Sequence, residues 1–269
     1  MIARSIAGAR FAGLLLASAL ACASAANAAV RVLDDFTSPG TPAFGIPTGS
    51  GAQFFERSFG SFAGLAGQVR EANYNLYHDP SSGAASASVG GGFAAVHASA
   101  DALGEYVFFY GAFTRPTGDP GIAGPFMGLD LRSFDTFRAE FSDLKFGLNL
   151  NVVLYTSAPH LMPDGTPLYY LQSGINLAPA IEGGPVVADL LLDTRNPLAS
   201  YAPYFNFSQV DGIFFVIDRS GYSVGNKYLL DTLVFTQSVP EPSSYLLMLL
   251  GLVLALTTAG LRRRDADAA

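Results

Sequence analysis

The chain has 269 residues, of which 50% are hydrophobic, 12% are aromatic and only 14% are charged. Its formal net charge is −7 at pH 7, and residues 29–238 alone hold 10 Lys and Arg against 19 Asp and Glu, a net charge of −9. This acidic balance argues against a nucleic-acid-binding protein, because such proteins neutralise phosphates with basic side chains.

The amino terminus has the features of a secretory signal peptide. Arg4 and Arg10 give it a positive start, and an apolar run of ten residues, 11–20, follows. That run is shorter than the roughly 20 residues that span a bilayer. Ala26 and Ala28 fit the small-x-small rule for signal peptidase, so we expect cleavage after Ala28.

The only cysteine, Cys22, lies inside this predicted signal peptide of residues 1–28. A lipoprotein signal is the alternative, because Ala19-Leu20-Ala21 precedes the cysteine, but the leucine is one position too close to it for a good lipobox. Removal of the signal would leave a mature chain without thiols, so its stability must come from its core rather than from disulfides. The signal implies export by the Sec translocon and cleavage by signal peptidase.

Residues 29–238 carry the patterns of short strands and show no linker or repeat that would divide them. Residues 136–141 alternate strictly between two faces, and 148–154 do the same with Asn149 and Asn151 facing away from the apolar side. Further strand-length segments separated by turn-forming residues are 104–113, 186–193, 212–218 and 227–235. The fold class predicted is all-β: one antiparallel β-sandwich or jelly roll, flanked by a signal-peptide helix and a carboxyl-terminal transmembrane helix.

One segment matches a catalytic pattern without its partners. Residues 221–225 read Gly-x-Ser-x-Gly, as in a nucleophile elbow. That motif needs a following helix and a later histidine, whereas a predicted strand follows Ser223 and no histidine does. A hairpin loop that uses the two glycines for its turn is the better interpretation.

The three histidines do not form a recognisable metal or catalytic motif. His78 precedes a turn, His97 falls in a predicted strand and His160 falls in a Pro- and Gly-rich segment that we expect to be a loop. None has the spacing of a zinc site. The sequence therefore predicts no catalytic residue.

A sugar-binding platform is one interpretation of the tyrosines. Tyr169 and Tyr170 follow the segment 157–167, and Tyr201 and Tyr204 lie close together further on. Packing in the core or at a sheet edge is the alternative that we favour, because the chain has no tryptophan and a sandwich core is itself built from Phe and Tyr.

The carboxyl terminus carries a membrane-spanning pattern. Residues 243–261 contain no charge over 19 positions, about 28 Å as a helix at ~1.5 Å per residue, which suffices for a bilayer core. Arg262, Arg263 and Arg264 follow at once and would stay on the cytoplasmic side, which places the body outside. A buried helix of a soluble domain is the alternative, but three arginines beside an apolar run fit a membrane boundary better.

Pro240, Glu241 and Pro242 precede this span, and the whole segment 239–264 resembles the PEP-CTERM sorting signal of Gram-negative bacteria. The resemblance implies that an exosortase recognises the tail and cuts it near the Pro-Glu-Pro, with 265–269 as a short end. Prolines disfavour helix, so this part would stay extended and accessible. The implied location is the inner membrane transiently, then the cell surface or extracellular matrix.

The body resembles galactose-binding-like jelly rolls, a group that includes carbohydrate-binding modules. The resemblance rests on four segments: 32–36, 130–141, 207–218 and 228–235. It implies architecture rather than a ligand.

The same resemblance implies a structural calcium between the first and last strands. Asp34 or Asp35 could then join Asp231, since calcium takes several oxygen ligands. If Leu233 faces the core, a period of two places Asp231 there as well, and a buried carboxylate must be paired or bind a metal. The alternative partners are Arg219, Lys227 or backbone amides. We otherwise expect no cofactor.

These features together predict an exported, non-enzymatic surface or matrix protein whose partner is an exosortase. Exopolysaccharide or biofilm is the setting that the PEP-CTERM resemblance implies, with weak carbohydrate binding as a further expectation. A secreted glycan hydrolase or lyase is the alternative, and it would need two carboxylates a few ångströms apart. A third possibility is a membrane-retained protein whose tail is not cut.

Overall fold

A computed structural model of the chain describes residues 29–38, 44–46, 52–78, 85–98, 102–112, 124–145, 147–177, 183–218 and 227–238. Residues 29–237 form a compact unit. The predicted signal peptide and the sorting tail from residue 239 onward lie outside the described residues. Within the described ranges, no helix has the length and apolar character needed to cross a membrane.

The described part of the chain is built almost entirely from strands. In chain order they are β1 (Val30–Asp34), β2 (Phe44–Ile46), β3 (Ala52–Phe62), β4 (Leu65–His78), β5 (Ala85–Gly90), β6 (Phe93–His97), β7 (Leu103–Gly111), β8 (Thr136–Lys145), β9 (Asn149–Leu161), β10 (Pro167–Asn176), β11 (Val186–Leu191), β12 (Gly212–Ile217) and β13 (Lys227–Thr236). Two short 3₁₀ turns, Pro197–Ala199 and Ala202–Tyr204, lie between β11 and β12.

The strands form two antiparallel sheets. The seven-stranded sheet has the order β11-β8-β13-β6-β5-β2, with β1 also paired to β13, and the six-stranded sheet has the order β10-β9-β12-β7-β4-β3. The predicted antiparallel β-sandwich is thereby confirmed. The alternating segments that predicted β8 and β9 place their apolar residues inside, as a half-buried strand requires.

Strand β13 lies inside the seven-stranded sheet and has partners on both sides. Strand β8 pairs along it from Lys227 to Thr236. On the other side, β6 pairs with its first half and β1 with its second half, where Val30 lies opposite Thr236. The backbone N–H of Gln237 also donates to the carbonyl of Ala29 at 3.0 Å. The body therefore begins and ends at the same place, here called the exit end, and the opposite end, where Lys227 pairs with Lys145, is called the far end.

Aromatic rings from both sheets form the centre of the core. Phe137 and Phe235 come from the seven-stranded sheet, and Phe108 and Phe215 come from the six-stranded sheet; all four are buried. The rings of Phe137 and Phe215 meet across the sheets at a centroid distance of 5.2 Å. Burial of each such side chain stabilises the fold by about 1.5–3 kcal/mol.

A buried ion pair also connects the two sheets. Arg70 on β4 is 0% exposed and donates to the Asp34 carboxylate on β1 at 2.8 Å. The Tyr110 hydroxyl donates to the same oxygen at 2.8 Å, and the Phe36 backbone N–H donates to the other oxygen at 2.8 Å. Glu56 lies beside this pair, 3.8 Å from Arg70 Nε.

The hairpin of β3 and β4 does not appear among the predicted strands, and the reason is its inner face. Glu56, Ser58, Gln68 and Arg70 are all buried there, so the apolar alternation that marks a strand is interrupted. Arg70 bonds to Asp34 and Ser58 there, whereas Glu56 Oε2 and Gln68 Oε1 are buried without a hydrogen-bond partner among the described residues.

The predicted loop around His160 is wrong. Strand β9 continues through His160 to Leu161 and returns in β10 after the turn at 162–166. Gly165 has a φ of 82° in this turn, a conformation that glycine adopts at little cost. The tight turn allows both strands to extend over residues that are rich in proline and were therefore expected to be irregular.

Candidate functional site

The predicted position of Asp231 on the core face is wrong. The register of β13 against β8 shifts between Leu230 and Thr232, so Asp231 is the extra residue of a bulge. Leu230 and Leu233 both face the core, while Asp231 is half-buried and accepts a hydrogen bond from the Ser142 hydroxyl at 2.8 Å. Its partner is therefore a hydroxyl group and not one of the basic residues considered from the sequence.

The other residues of the predicted calcium site are also engaged by protein groups. Asp35 is exposed and accepts from the backbone N–H and the hydroxyl of Thr37 at 3.1 and 2.6 Å. These bonds lower its pKa, the side-chain bond most. Asp34 accepts from Arg70, as described above. Among the described residues, no group of three or more His, Cys, Asp and Glu side chains could hold a metal ion.

Several candidate residues fall outside the described part of the chain. These are the signal-cleavage residues Ala26 and Ala28, the sorting residues Pro240, Glu241, Pro242, Arg262, Arg263 and Arg264, and the 221–225 motif. His97 ends β6, as predicted for a strand residue, and it is exposed there.

The outer face of the six-stranded sheet carries a group of polar side chains that share one surface. Six of them alternate with core residues on four strands and are here called the amide face: Asn73, Asn75, Glu105, Asn149, Asn151 and Gln172. Strand pairing aligns them, because Asn75 lies opposite Glu105 and Asn151 lies two strands away, opposite Val216.

Hydrogen bonds between these side chains hold two groups in place. On one side, Glu105 accepts from Asn75 at 3.4 Å and from the Tyr77 hydroxyl at 3.0 Å. On the other side, Asn151 donates to Asn149 at 3.1 Å and accepts from Gln172 at 3.3 Å. Side-chain amides carry both donors and an acceptor, so such groups can donate hydrogen bonds to ligand hydroxyls and accept hydrogen bonds from them.

The side-chain amide oxygen of Asn73, Oδ1, is buried and has no hydrogen-bond donor among the described residues. A buried acceptor of this kind costs about 1–3 kcal/mol when it stays unpaired. It lies between the exposed ring of Phe55 on β3 and Val107 on β7. The side-chain oxygen of Asn73 is therefore an unsatisfied acceptor beneath the amide face.

An apolar strip separates the two polar groups. Phe109 and Phe214 are half-buried, lie opposite each other on β7 and β12, and have ring centroids 4.5 Å apart. Val107 and Val216 continue the strip and are buried, although they point to the outer side of the sheet. Rings flanked by fixed polar groups are the usual composition of small-molecule sites.

Much of the amide face lies toward the far end of the sandwich. Asn149 begins β9 four residues after Lys145, which pairs with Lys227 at that end. The backbone N–H of Asp218, which follows the last residue of β12, donates to the carbonyl of Asn149 at 2.7 Å. Glu105 lies level with this position, since its neighbour Tyr106 pairs with Ile217.

A cleft of about 290 Å³ lies at the exit end. Its lining residues are Arg132, Phe134, Asp135, Leu192, Asp193, Thr194, Ala202, Pro203 and Phe207. Arg195 donates to Asp193 at 2.7 Å and to Asp135 at 3.1 Å, so both carboxylates of the cleft share one guanidinium. Side-chain hydrogen bonding to Asp193 raises the pKa of Arg195.

The tyrosines that were considered as a sugar platform lie on separate elements. Tyr170 is exposed on β10 and contacts Tyr155 at a centroid distance of 6.4 Å. Tyr201 and Tyr204 are exposed beside the second 3₁₀ turn. The sequence had indicated Asn149 and Asn151 as outward-facing, whereas the residues on β4 and β10 were missed because those strands were not predicted. The alternation in residues 73–77 was the signal that could have found β4.

The comparisons with known proteins identify one sequence motif in the chain. Residues 238–264 match the PEP-CTERM protein-sorting motif. The chain therefore carries this motif, which marks an exported protein processed by an exosortase, as the resemblance of the tail implied.

No curated protein matches the chain. Among solved structures, the chain is similar to a family 11 carbohydrate-binding module from Clostridium thermocellum, solved in complex with a beta-1,3-1,4-mixed-linked tetrasaccharide. The identity is 9%, the match covers 78% of this chain and 96% of that chain, and the TM-score is 0.31.

Proposed function

We propose that this protein is a non-enzymatic polysaccharide-binding protein of the cell surface or extracellular matrix of a Gram-negative bacterium, delivered there through its sorting motif. The observation that carries the proposal is the amide face, where two hydrogen-bonded polar groups share one surface with an apolar strip that includes the Phe109–Phe214 pair. Sugars present hydroxyls at their rim and C–H groups on their ring faces, and this arrangement offers amides to the first and aromatic rings to the second.

The length of the face suits a chain of several sugar rings. Three strand spacings separate β4 from β9, which places the two polar groups roughly 14 Å apart at ~4.8 Å per spacing. A ligand that contacts both groups would cross the strands and pass over Val107 and Val216, next to the phenylalanine pair on the same two strands. A single monosaccharide is too short for this.

The charge of the body favours a neutral polysaccharide. Residues 29–238 carry a net charge of −9, and the charged member of the amide face is the carboxylate Glu105. A polyanion would be repelled at low ionic strength. Hydroxyl-rich neutral chains avoid this cost.

The test is affinity gel electrophoresis of the mature protein in a soluble neutral β-glucan, a galactomannan and alginate. We expect retardation by a neutral polysaccharide and none by alginate. The double variant Asn75→Ala/Asn151→Ala removes one amide from each polar group and should weaken binding at least ten-fold. Ser142→Ala, a polar change on the outer face of the other sheet, is the matched control and should bind as the wild type does.

Equal retardation of the double variant and the wild type would contradict binding at the amide face. Retardation by alginate alone would contradict the proposed neutral ligand. Failure of all three polysaccharides to retard the wild type would contradict the glycan-binding role itself.

A glycan hydrolase is the second candidate, and the exit-end cleft is the observation that favours it. Asp135 and Asp193 line that cleft together with Phe134 and Phe207. Both carboxylates are held by Arg195, which leaves neither placed as a free proton donor. On the outer face of the six-stranded sheet, the strand positions of Glu71 and Glu105 are roughly 14 Å apart, farther than the separations that glycoside cleavage uses. Release of reducing ends from any of the three polysaccharides, abolished by Asp135→Asn, would favour the hydrolase.

A further inference from the structure

We infer that β13 carries the mechanical load in this protein: a pull applied at the carboxyl-terminal end of the body is resisted by shear between β13 and its neighbours. The inference rests on the proposed surface display, in which polysaccharide pulls on the body while its carboxyl-terminal end is attached to the cell surface. It adds a mechanical role to that proposed function and assigns it to one element.

The position of the attachment is the first observation. The sorting motif begins at residue 238, and β13 ends at Thr236, so only Gln237 separates the strand from the motif. Any force carried by the chain at the motif therefore enters the body at the last residue of β13. No flexible linker within the described chain spreads this force over other elements.

The pairing of β13 is the second observation. The strand is bonded on both sides, to β8 along its length and to β6 and β1 on the opposite side. A force on Thr236 directed out of the exit end pulls along the strand axis. Because the ladder bonds are perpendicular to the strands, they are then loaded together rather than one after another.

The position of the amide face is the third observation. Asn149 and Glu105 lie at the far end, so a ligand bound there pulls the body in the direction opposite to the attachment. Load then runs through the length of the sandwich. A ligand held at the exit end would instead pull beside the attachment and separate the strands from one end.

The neighbouring strand β1 supplies the contrast. Val30 lies opposite Thr236, so both chain ends of the body are at the exit end. Pulling on these two ends would peel β1 from β13 one residue pair at a time. The sheet should therefore resist a pull between the exit end and the far end more strongly than a pull between the two chain ends of the body.

The experiment is single-molecule force spectroscopy on residues 29–269, with the sorting tail uncut and held in detergent micelles through a handle after Ala269. The second handle is joined to one engineered cysteine, which is unique because Cys22 is the only cysteine of the sequence and lies in the predicted signal peptide. Lys145→Cys is exposed at the far end of β8, and Ser133→Cys is exposed just before the exit end of the same strand. The two variants load the same strand pair, in shear and in peeling respectively.

We expect the body of the Lys145→Cys variant to unfold at a force several-fold higher than that of the Ser133→Cys variant. Urea unfolding of both variants, with unchanged midpoints, would show that the difference comes from direction and not from stability. Equal forces, or a higher force for Ser133→Cys, would overturn the inference. The measurement contains no polysaccharide, so failure of the proposed glycan binding would leave its result intact and is distinguished by the electrophoresis described above.

Discussion

Arg70 shows how this core accommodates a full charge. Its guanidinium is buried, bonded to Asp34, and lies over the rings of Phe36 and Phe62 at 5.6 and 5.3 Å. The hydrogen bonds and the cation–π contacts offset part of the desolvation cost. Such a pair stabilises little in total, but the loss of one partner is expensive because the other charge stays buried.

Replacement of Arg70 by Met should lower the free energy of unfolding by about 3–5 kcal/mol, since Asp34 would lose its counter-charge inside the core. Urea denaturation followed by tyrosine fluorescence would measure the change. Arg57→Met is the matched control: Arg57 is 40% exposed and paired with Glu71 at 2.8 Å, so its loss should cost less than about 1 kcal/mol. Similar effects of the two substitutions would contradict the structural role of Arg70.

Glu56 predicts a pH dependence of stability. Burial raises its pKa from 4.5 to about 7, although the charge of Arg70 opposes this rise. The folded state then binds a proton that the unfolded state releases, so stability is full below about pH 4.5 and falls as the pH rises through 7. The full loss corresponds to about 3 kcal/mol.

Urea unfolding of the wild type and Glu56→Gln between pH 4.5 and 8 would check this effect. We expect the difference between the two proteins to change across this window in favour of the variant. A constant difference would show that Glu56 keeps an ordinary pKa in the folded protein.

At the scale of elements, Asp211 holds together three segments at the start of β12. Its carboxylate accepts from the backbone N–H and hydroxyl of Ser157 at 2.7 and 2.5 Å, and from the Gly128 N–H at 3.3 Å. Its backbone carbonyl accepts from Ala112 and Met127 at 3.0 and 3.1 Å. One aspartate thus connects β9, the end of β7 and the segment that precedes β8.

Asp211→Ala should destabilise the protein by about 3 kcal/mol, because the substitution removes three hydrogen bonds from part-buried donors, each worth about 1 kcal/mol. Thermal and urea unfolding would measure it. Asp35→Ala also removes an acceptor of a backbone N–H, but at an exposed site, and should cost less than about 1 kcal/mol. If Asp211→Ala were as mild as Asp35→Ala, the carboxylate would contribute little to holding the three segments together.

At the scale of the whole molecule, the two ends of the body determine how it can be processed and displayed. The predicted signal-peptidase site precedes Ala29 directly, and the sorting motif begins just after Gln237, which bonds to Ala29. Strand β1 has β13 as its strand partner among the described elements, and β13 is the last strand to be synthesised. The exit end of the sheet is therefore complete only after nearly the whole body has been made.

Replacement of Arg262, Arg263 and Arg264 by Ala should abolish processing of the tail, because the cluster ends the membrane span and is part of the matched motif. Intact mass of the protein from membrane and extracellular fractions would measure it. The wild type should yield a species that starts near Ala29 and ends near Pro240. Deletion of 265–269 is the control and should leave processing unchanged. Normal processing of the arginine variant would contradict the role of the cluster.

Much of the sheet structure could be predicted from residues close together in the chain. Phe137, Ala139 and Phe141 show which face of β8 is buried, because alternation is a local consequence of strand geometry. The same rule failed at Asp231, where a bulge changes the parity within β13. Bulges depend on the partner strand, so a single strand's sequence does not reveal them.

The sequence by itself determined how this protein is sorted, because sorting signals are linear. The Pro-Glu-Pro, the charge-free run of membrane length and the arginines follow one another directly in the chain. It also determined the all-β class through period-two alternation. Only the tertiary structure decided that Arg70 is a core residue, that Asp34 is its partner, and that amides of β4 and β9 share one face. Those residues are far apart in sequence, and the free energy that joins them comes from burial and pairing across two sheets, which no local pattern records.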